Sequence, residues 1–139
     1  MRLAAILLLV LALGACGHQA ARTPADVQDA AKFAGLHLPD GARDFRTNRN
    51  TGGINRLVLL SFRMNPGKVD EFLTGSSLAD PQPGVDPIQV SLRGQLGWRL
   101  DTLTHFEGTS DDNNGRTRQV VIDTADPQQL TVYVAAFSV

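Results

Sequence analysis

The last apolar stretch sets the tightest limit on the fold. Leu130, Val132, Val134 and Ala136 alternate with Thr131, Tyr133, Ala135 and Phe137, so both faces of an extended segment are largely apolar. A strand sends successive side chains to opposite faces, so this one belongs inside a sheet with cover on each side. The remaining chain must supply its neighbours and its cover. Of 139 residues, 42% are hydrophobic and 19% charged, which suits one globular domain and excludes a disordered chain.

The earlier segments predict those partners in order. Thr23-Pro24 opens a helix with an N-cap and a proline at its first position. Val27, Ala30, Ala31 and Ala34 follow helical spacing, and Gly35 stops the helix in a left-handed conformation. Phe45 to Asn48 predicts a short strand, Thr51-Gly52-Gly53 a turn, and Ile54 to Met64 a central strand. Asn65-Pro66 starts a second helix, with Val69, Phe72 and Leu73 as its buried stripe and Gly75 as its end. Ser76 to Pro87, with three Pro and one Gly, reads as a connection without regular structure. Ile88 to Leu92 and Trp98 to Phe106 predict strands, Asp111 to Gly115 a hairpin tip, and Gln119 to Thr124 the returning strand. This order predicts an α+β two-layer sandwich, an antiparallel sheet of four to six strands with two helices on one face.

The N-terminus carries an address. Arg2 precedes eleven residues, Leu3 to Leu13, without a polar side chain. As a helix that run rises only about 16 Å, half of a bilayer core, which fits a secretory signal and not a membrane span. Leu13-Gly14-Ala15-Cys16 follows, and it resembles the lipobox of bacterial lipoproteins. The resemblance implies cleavage before Cys16 and a diacylglycerol, with a further acyl group such as palmitate, on the new first residue. It divides the chain into a signal peptide (1–15), a lipid-anchored tether (16–23) and a single α+β domain (24–139). Two or three acyl chains hold a protein to a membrane where one is marginal. The implied location is the outer face of a bacterial cell membrane, or its periplasmic side. Leu38-Pro39-Asp40-Gly41-Ala42, Val69-Asp70-Glu71-Phe72-Leu73 and Gly97-Trp98 also resemble small uncharacterised lipoproteins of actinobacteria, which bears on fold and address only.

Several chemistries are excluded on residue types. A net charge of −1 gives no bulk attraction to nucleic acid, and one Cys excludes a disulfide framework or a Cys-cluster zinc site. Gly75-Ser76-Ser77-Leu78-Ala79 approaches a nucleophile elbow but departs at its last position and follows a helix. Asp112, Asn114 and Gly115 match three places of a calcium loop, but Ser110 and Val121 stand where its first acid and its bidentate Glu belong. No spacing implies a metal or an organic cofactor.

Charge is unevenly placed. Arg43, Arg46, Arg49, Arg56 and Arg63 surround one acid, Asp44, whereas 101–126 holds six acids and two Arg. Either the two segments neutralise each other across the sheet, or the arginines face an anionic partner such as lipid headgroups or cell-wall phosphates. Trp98 is the single Trp, an anchor of the core or a platform for stacking a ligand. The candidate ligand-binding residues are therefore Trp98, Arg46, Arg49 and Arg56. The expected function is a non-enzymatic, lipid-anchored envelope module that binds another envelope component or an extracellular ligand. The alternative is an extracytoplasmic hydrolase in which His105 meets Asp101, Asp123 or Asp126.

Overall fold

The computed structural model describes residues 24–50 and 56–138. The signal segment, Cys16, the Thr23 cap and the Thr51-Gly52-Gly53 turn lie outside the described residues. The fold is α+β: six antiparallel strands form one open sheet with the order β1-β2-β6-β5-β4-β3. These are β1 (Arg43–Asn50), β2 (Leu57–Met64), β3 (Gln82–Pro83), β4 (Phe106–Asn113), β5 (Arg116–Asp123) and β6 (Leu130–Ser138). Helices α1 (Pro24–Ala34) and α2 (Val69–Gly75) lie on one face.

β6 sits between β2 and β5, as its doubly apolar pattern requires. On the helical side Leu60, Phe62, Val132, Val134, Val120 and Ile122 pack with Phe72 and Leu73 of α2. Farther along the same face Val58 and Ala136 meet Ala30, Phe33 and Ala34 of α1. Val27, Ala30, Ala31 and Ala34 are all buried, and Gly35 takes a φ of 63° while the Leu36 N–H donates to the Ala31 carbonyl, closing the helix. Asn114-Gly115 joins β4 to β5 as a two-residue turn with φ of 53° and 76°, the left-handed pair that a tight hairpin needs.

The opposite face has its own cover, and here the sequence expectation is corrected. Residues 88–92 and 98–105 are not strands. They belong to a chain of short turns that includes α3 (Val90–Arg93) and the 3₁₀ turns Gly94–Leu96 and Leu100–Thr102. Ile88, Leu92 and Leu96 stand four residues apart, so a helical path points all three at the sheet, while Gly97 breaks it with a φ of 66°. With Trp98 and Leu100 they cover Leu59, Val121 and Ala135. Asp86 pins the start of this cover: it pairs with Arg93, whose Nη2 also donates to the Ile88 carbonyl at 2.9 Å. The preceding connection is ordered as well, since Gln82 and Pro83 pair with Gly108 and Glu107. Pro83 fits there because β3 is an edge strand with no ladder bond to lose on its open side.

Candidate functional site

The strand register builds the site. Arg46 lies opposite Ser61, and Ser61 opposite Tyr133, so the three form one row across β1, β2 and β6. In the next row Arg63 lies opposite Thr131. Both rows face the side that carries Trp98, because Leu59 and Ala135 of the same parity pack beneath it. A bulge interrupts β1 between Arg43 and Arg46, and Asp44 within it has a φ of 57°, an uncommon conformation for a residue with a side chain. The bulge sets the Asp44 carboxylate 3.7 Å from the Arg63 guanidinium.

Between this end of the sheet and the Gly97-Trp98-Arg99 turn lies a groove of about 500 Å³. Arg46, Arg63 and Arg99 line it, with Ser61, Thr131, Tyr133 and Trp98, and Asp44 is its one carboxylate among the described residues. Arg99 reaches Asp101 only at 3.9 Å in an exposed pair, and among the described residues Arg46 makes no ion pair. Such exposed pairs contribute little, so the guanidinium groups stay available. Burial raises the Tyr133 phenol above its ordinary pKa of 10.0 and the Asp123 carboxylate adds to this, while Arg63 and Arg46 pull the other way. The phenol is therefore protonated at neutral pH and able to donate. Three guanidinium groups and three hydroxyls make a surface of donors, suited to holding an oxyanion.

Two of the sequence-derived candidates thus come together: Arg46 and Trp98 border one groove. Trp98 is 6% exposed and packs edge-on against Tyr133, with ring centroids 5.2 Å apart. It is a core residue forming a wall, and it offers no open ring face for stacking. Arg56 lies elsewhere, 4.7 Å over the Phe33 ring on the α1 side, with Arg116 at 4.6 Å from the same ring. Arg49 pairs with Val58 in the strand register. Cys16 lies outside the described residues. Charge runs and single aromatics can be seen in a sequence, but Arg63 and Tyr133 join the site only through strand register, and Arg99 only through the turn that follows Trp98.

The other candidate chemistries are placed apart. His105 is exposed, and its Nδ1 lies 3.1 Å from the Thr104 hydroxyl. Asp101 pairs with Arg99, while Asp123 and Asp126 accept backbone N–H bonds from Ala125 and Gln128. None of the three reaches His105 among the described residues. Ser76 is buried at the end of α2, where its hydroxyl accepts the His37 N–H at 2.9 Å. His37 itself lies 3.6 Å from Glu71, whose pKa is lowered chiefly by its hydrogen bond with Lys68. Among the described residues no group of three His, Cys, Asp or Glu is placed to hold a metal, and no helix is long and apolar enough to cross a membrane. No ion pair among them joins the arginine-rich segment to the acidic one; Arg63 pairs with Asp44, and Arg118 with Asp111.

Comparison with family models, with curated proteins and with solved structures finds no match.

Proposed function

We propose that the protein is a lipid-anchored cell-envelope domain that binds a ligand, without catalysis, in the groove between β1 and the Trp98 turn. The observation that carries the binding role is the convergence of Arg46, Arg63 and Arg99 from three separate segments on one groove with a single carboxylate. Separate segments must be held in register to present like charges together, and like charges repel at some cost unless a counter-charge joins them. The anchor rests on Leu13-Gly14-Ala15-Cys16. From Cys16 to the start of α1 at Pro24 an extended chain reaches about 25 Å, so the anchored domain works close to the membrane surface.

Two measurements test this reading. Cys16→Ala should leave the signal peptide uncleaved, so the product keeps the mass of the full precursor and carries no acyl chains; a product that still sediments with membranes at an unchanged mature mass refutes the anchor. The single Trp then reports on the groove, because Trp98 forms its wall. Saturable change in its emission with a small-molecule ligand, weakened by Arg46→Gln, supports binding. A ligand response that survives both Arg46→Gln and Arg99→Gln places the site elsewhere.

A further inference from the structure

We propose that this groove is a phosphomonoester site, in which Arg46, Arg63 and Arg99 hold the dianionic group and the Ser61, Thr131 and Tyr133 hydroxyls complete its hydrogen bonds. The proposal rests on the binding role given above and names the chemistry of its ligand. Charge is the first argument. Three guanidinium groups line the groove against the Asp44 carboxylate, and the Asp101 partner of Arg99 stands outside the lining at 3.9 Å in an exposed pair, so the groove itself presents an excess of positive charge. A phosphomonoester carries about −1.5 to −2 at neutral pH, whereas a carboxylate or a phosphodiester carries only −1.

Donor geometry is the second argument. A guanidinium presents a planar fork of donors and no acceptor, which matches the oxygens of a phosphate. The hydroxyls beside the arginines can donate to the oxygens that the forks leave free. The groove's one strong acceptor is Asp44, already shared with Arg63, so a polyol or a cation would meet few acceptors there. Size is the third. About 500 Å³ falls within the range of small-molecule sites and exceeds what a bare phosphate fills, so the ester body has room beside the Tyr133 ring. The source of the group is either a free organic phosphate or a lipid headgroup, since both offer the same oxygens.

The test uses the full chain with phosphatidylcholine vesicles, read by Trp98 emission and by Tyr133 absorbance. Glycerol 3-phosphate should give a saturable response, and Arg46→Gln or Arg99→Gln should each weaken it about tenfold. Bound phosphate should also move the Tyr133 absorbance titration further up, because a second negative charge beside the phenol disfavours the phenolate. A comparable response to vesicles containing phosphatidic acid assigns the headgroup as a source; a response to glycerol 3-phosphate alone assigns the free ester. Equal responses to phosphatidic acid and phosphatidylglycerol mark plain surface charge and overturn the proposal. A response to succinate or glycerol without one to glycerol 3-phosphate overturns the phosphate assignment and leaves the binding role standing. Silence towards every probe, with the urea midpoint unchanged, overturns both.

Discussion

Arg118 offers the sharpest test of how this fold is held together. It is 1% exposed and lies directly opposite Asp111 across β4 and β5. Its Nε donates to Asp111 Oδ1 at 2.7 Å and its Nη2 to Oδ2, so the pair is bidentate. Nη1 donates to the carbonyls of Ser76 at 2.8 Å, Gly35 at 3.2 Å and Ala34 at 3.3 Å, and Nη2 also reaches Ser77 at 3.3 Å. Those carbonyls are the C-terminal ends of α2 and α1, which have no partner within their own helix and carry the negative end of its dipole. One guanidinium therefore satisfies both helix ends at once. Arg118→Met strands them and Asp111, and removing one partner of a buried pair costs about 3–5 kcal/mol. With a urea m-value of about 2 kcal/mol/M, the midpoint followed by Trp98 emission should fall by about 2 M. A shift within about 0.3 M would refute the reasoning. The double variant Arg118→Met/Asp111→Leu separates the two roles. Replacing a whole ion pair with apolar groups is often nearly neutral, but here the helix-end carbonyls stay unsatisfied, so the double variant should remain destabilised. Full recovery would show that Arg118 serves only its carboxylate.

Three further predictions follow from single positions. Gly108→Ala would put a Cβ 2.1 Å from the Val85 carbonyl oxygen, so it should open the β3 edge and lower the urea midpoint, while a stability equal to the native protein refutes the close approach. Tyr133 is the single Tyr, so absorbance titration reads it directly; the inflection should lie above 10, and stability should fall as pH rises beyond the unfolded value of about 10, because the unfolded chain then releases its proton first. An inflection at or below 10 contradicts the burial of the phenol. The buried Trp98 indole nitrogen makes no hydrogen bond among the described residues, so Trp98→Phe forfeits packing alone. It should cost about 1–2 kcal/mol against about 3–5 for Trp98→Ala, and equal losses measured by circular dichroism in urea would show that the ring nitrogen has a partner.

What the sequence made legible was what neighbouring residues decide among themselves. Val27, Ala30, Ala31 and Ala34 announce α1 because a helix brings them to one side, and Asn114-Gly115 announces its hairpin through backbone freedom alone. β6 shows its central place because no solvent-facing pattern is present in it. The cover from Ile88 to Leu103 looks strand-like in the sequence for a physical reason: its helical stretches are single turns, too short for periodicity to outweigh the pattern of apolar residues between glycines. The four-residue spacing of Ile88, Leu92 and Leu96 was the available signal. Arg118 was hidden further, since one more charge near a hairpin tip looks solvated until two helix ends are brought against it.

The groove is a consequence of where that cover stops. Over β5 and β6 the turns from Ile88 onward seal the face; the Gly94–Leu96 turn reaches as far as β1, and Arg46, Ser61 and Arg63 line the groove beside it. Trp98 marks the boundary. It is fixed from below by Tyr133 and the core, so the adjoining Arg99 leaves a rigid turn and not a free loop. Trp98 therefore serves the site best as a buried wall, because an exposed ring would leave Arg99 without a fixed origin. The bulge in β1 acts from the other side, where it pairs Asp44 with Arg63 at the groove, while Arg46 makes no ion pair among the described residues. Preorganised donors lose little conformational freedom when a ligand arrives. Weakening the wall should therefore reduce ligand affinity even though Trp98 donates nothing to the ligand. With binding read by the Tyr133 absorbance titration, since both variants remove the single Trp, Trp98→Ala should impair binding as Arg99→Gln does, and Trp98→Phe, which keeps the wall, should not; equal binding by the native protein and Trp98→Ala refutes the role of the wall.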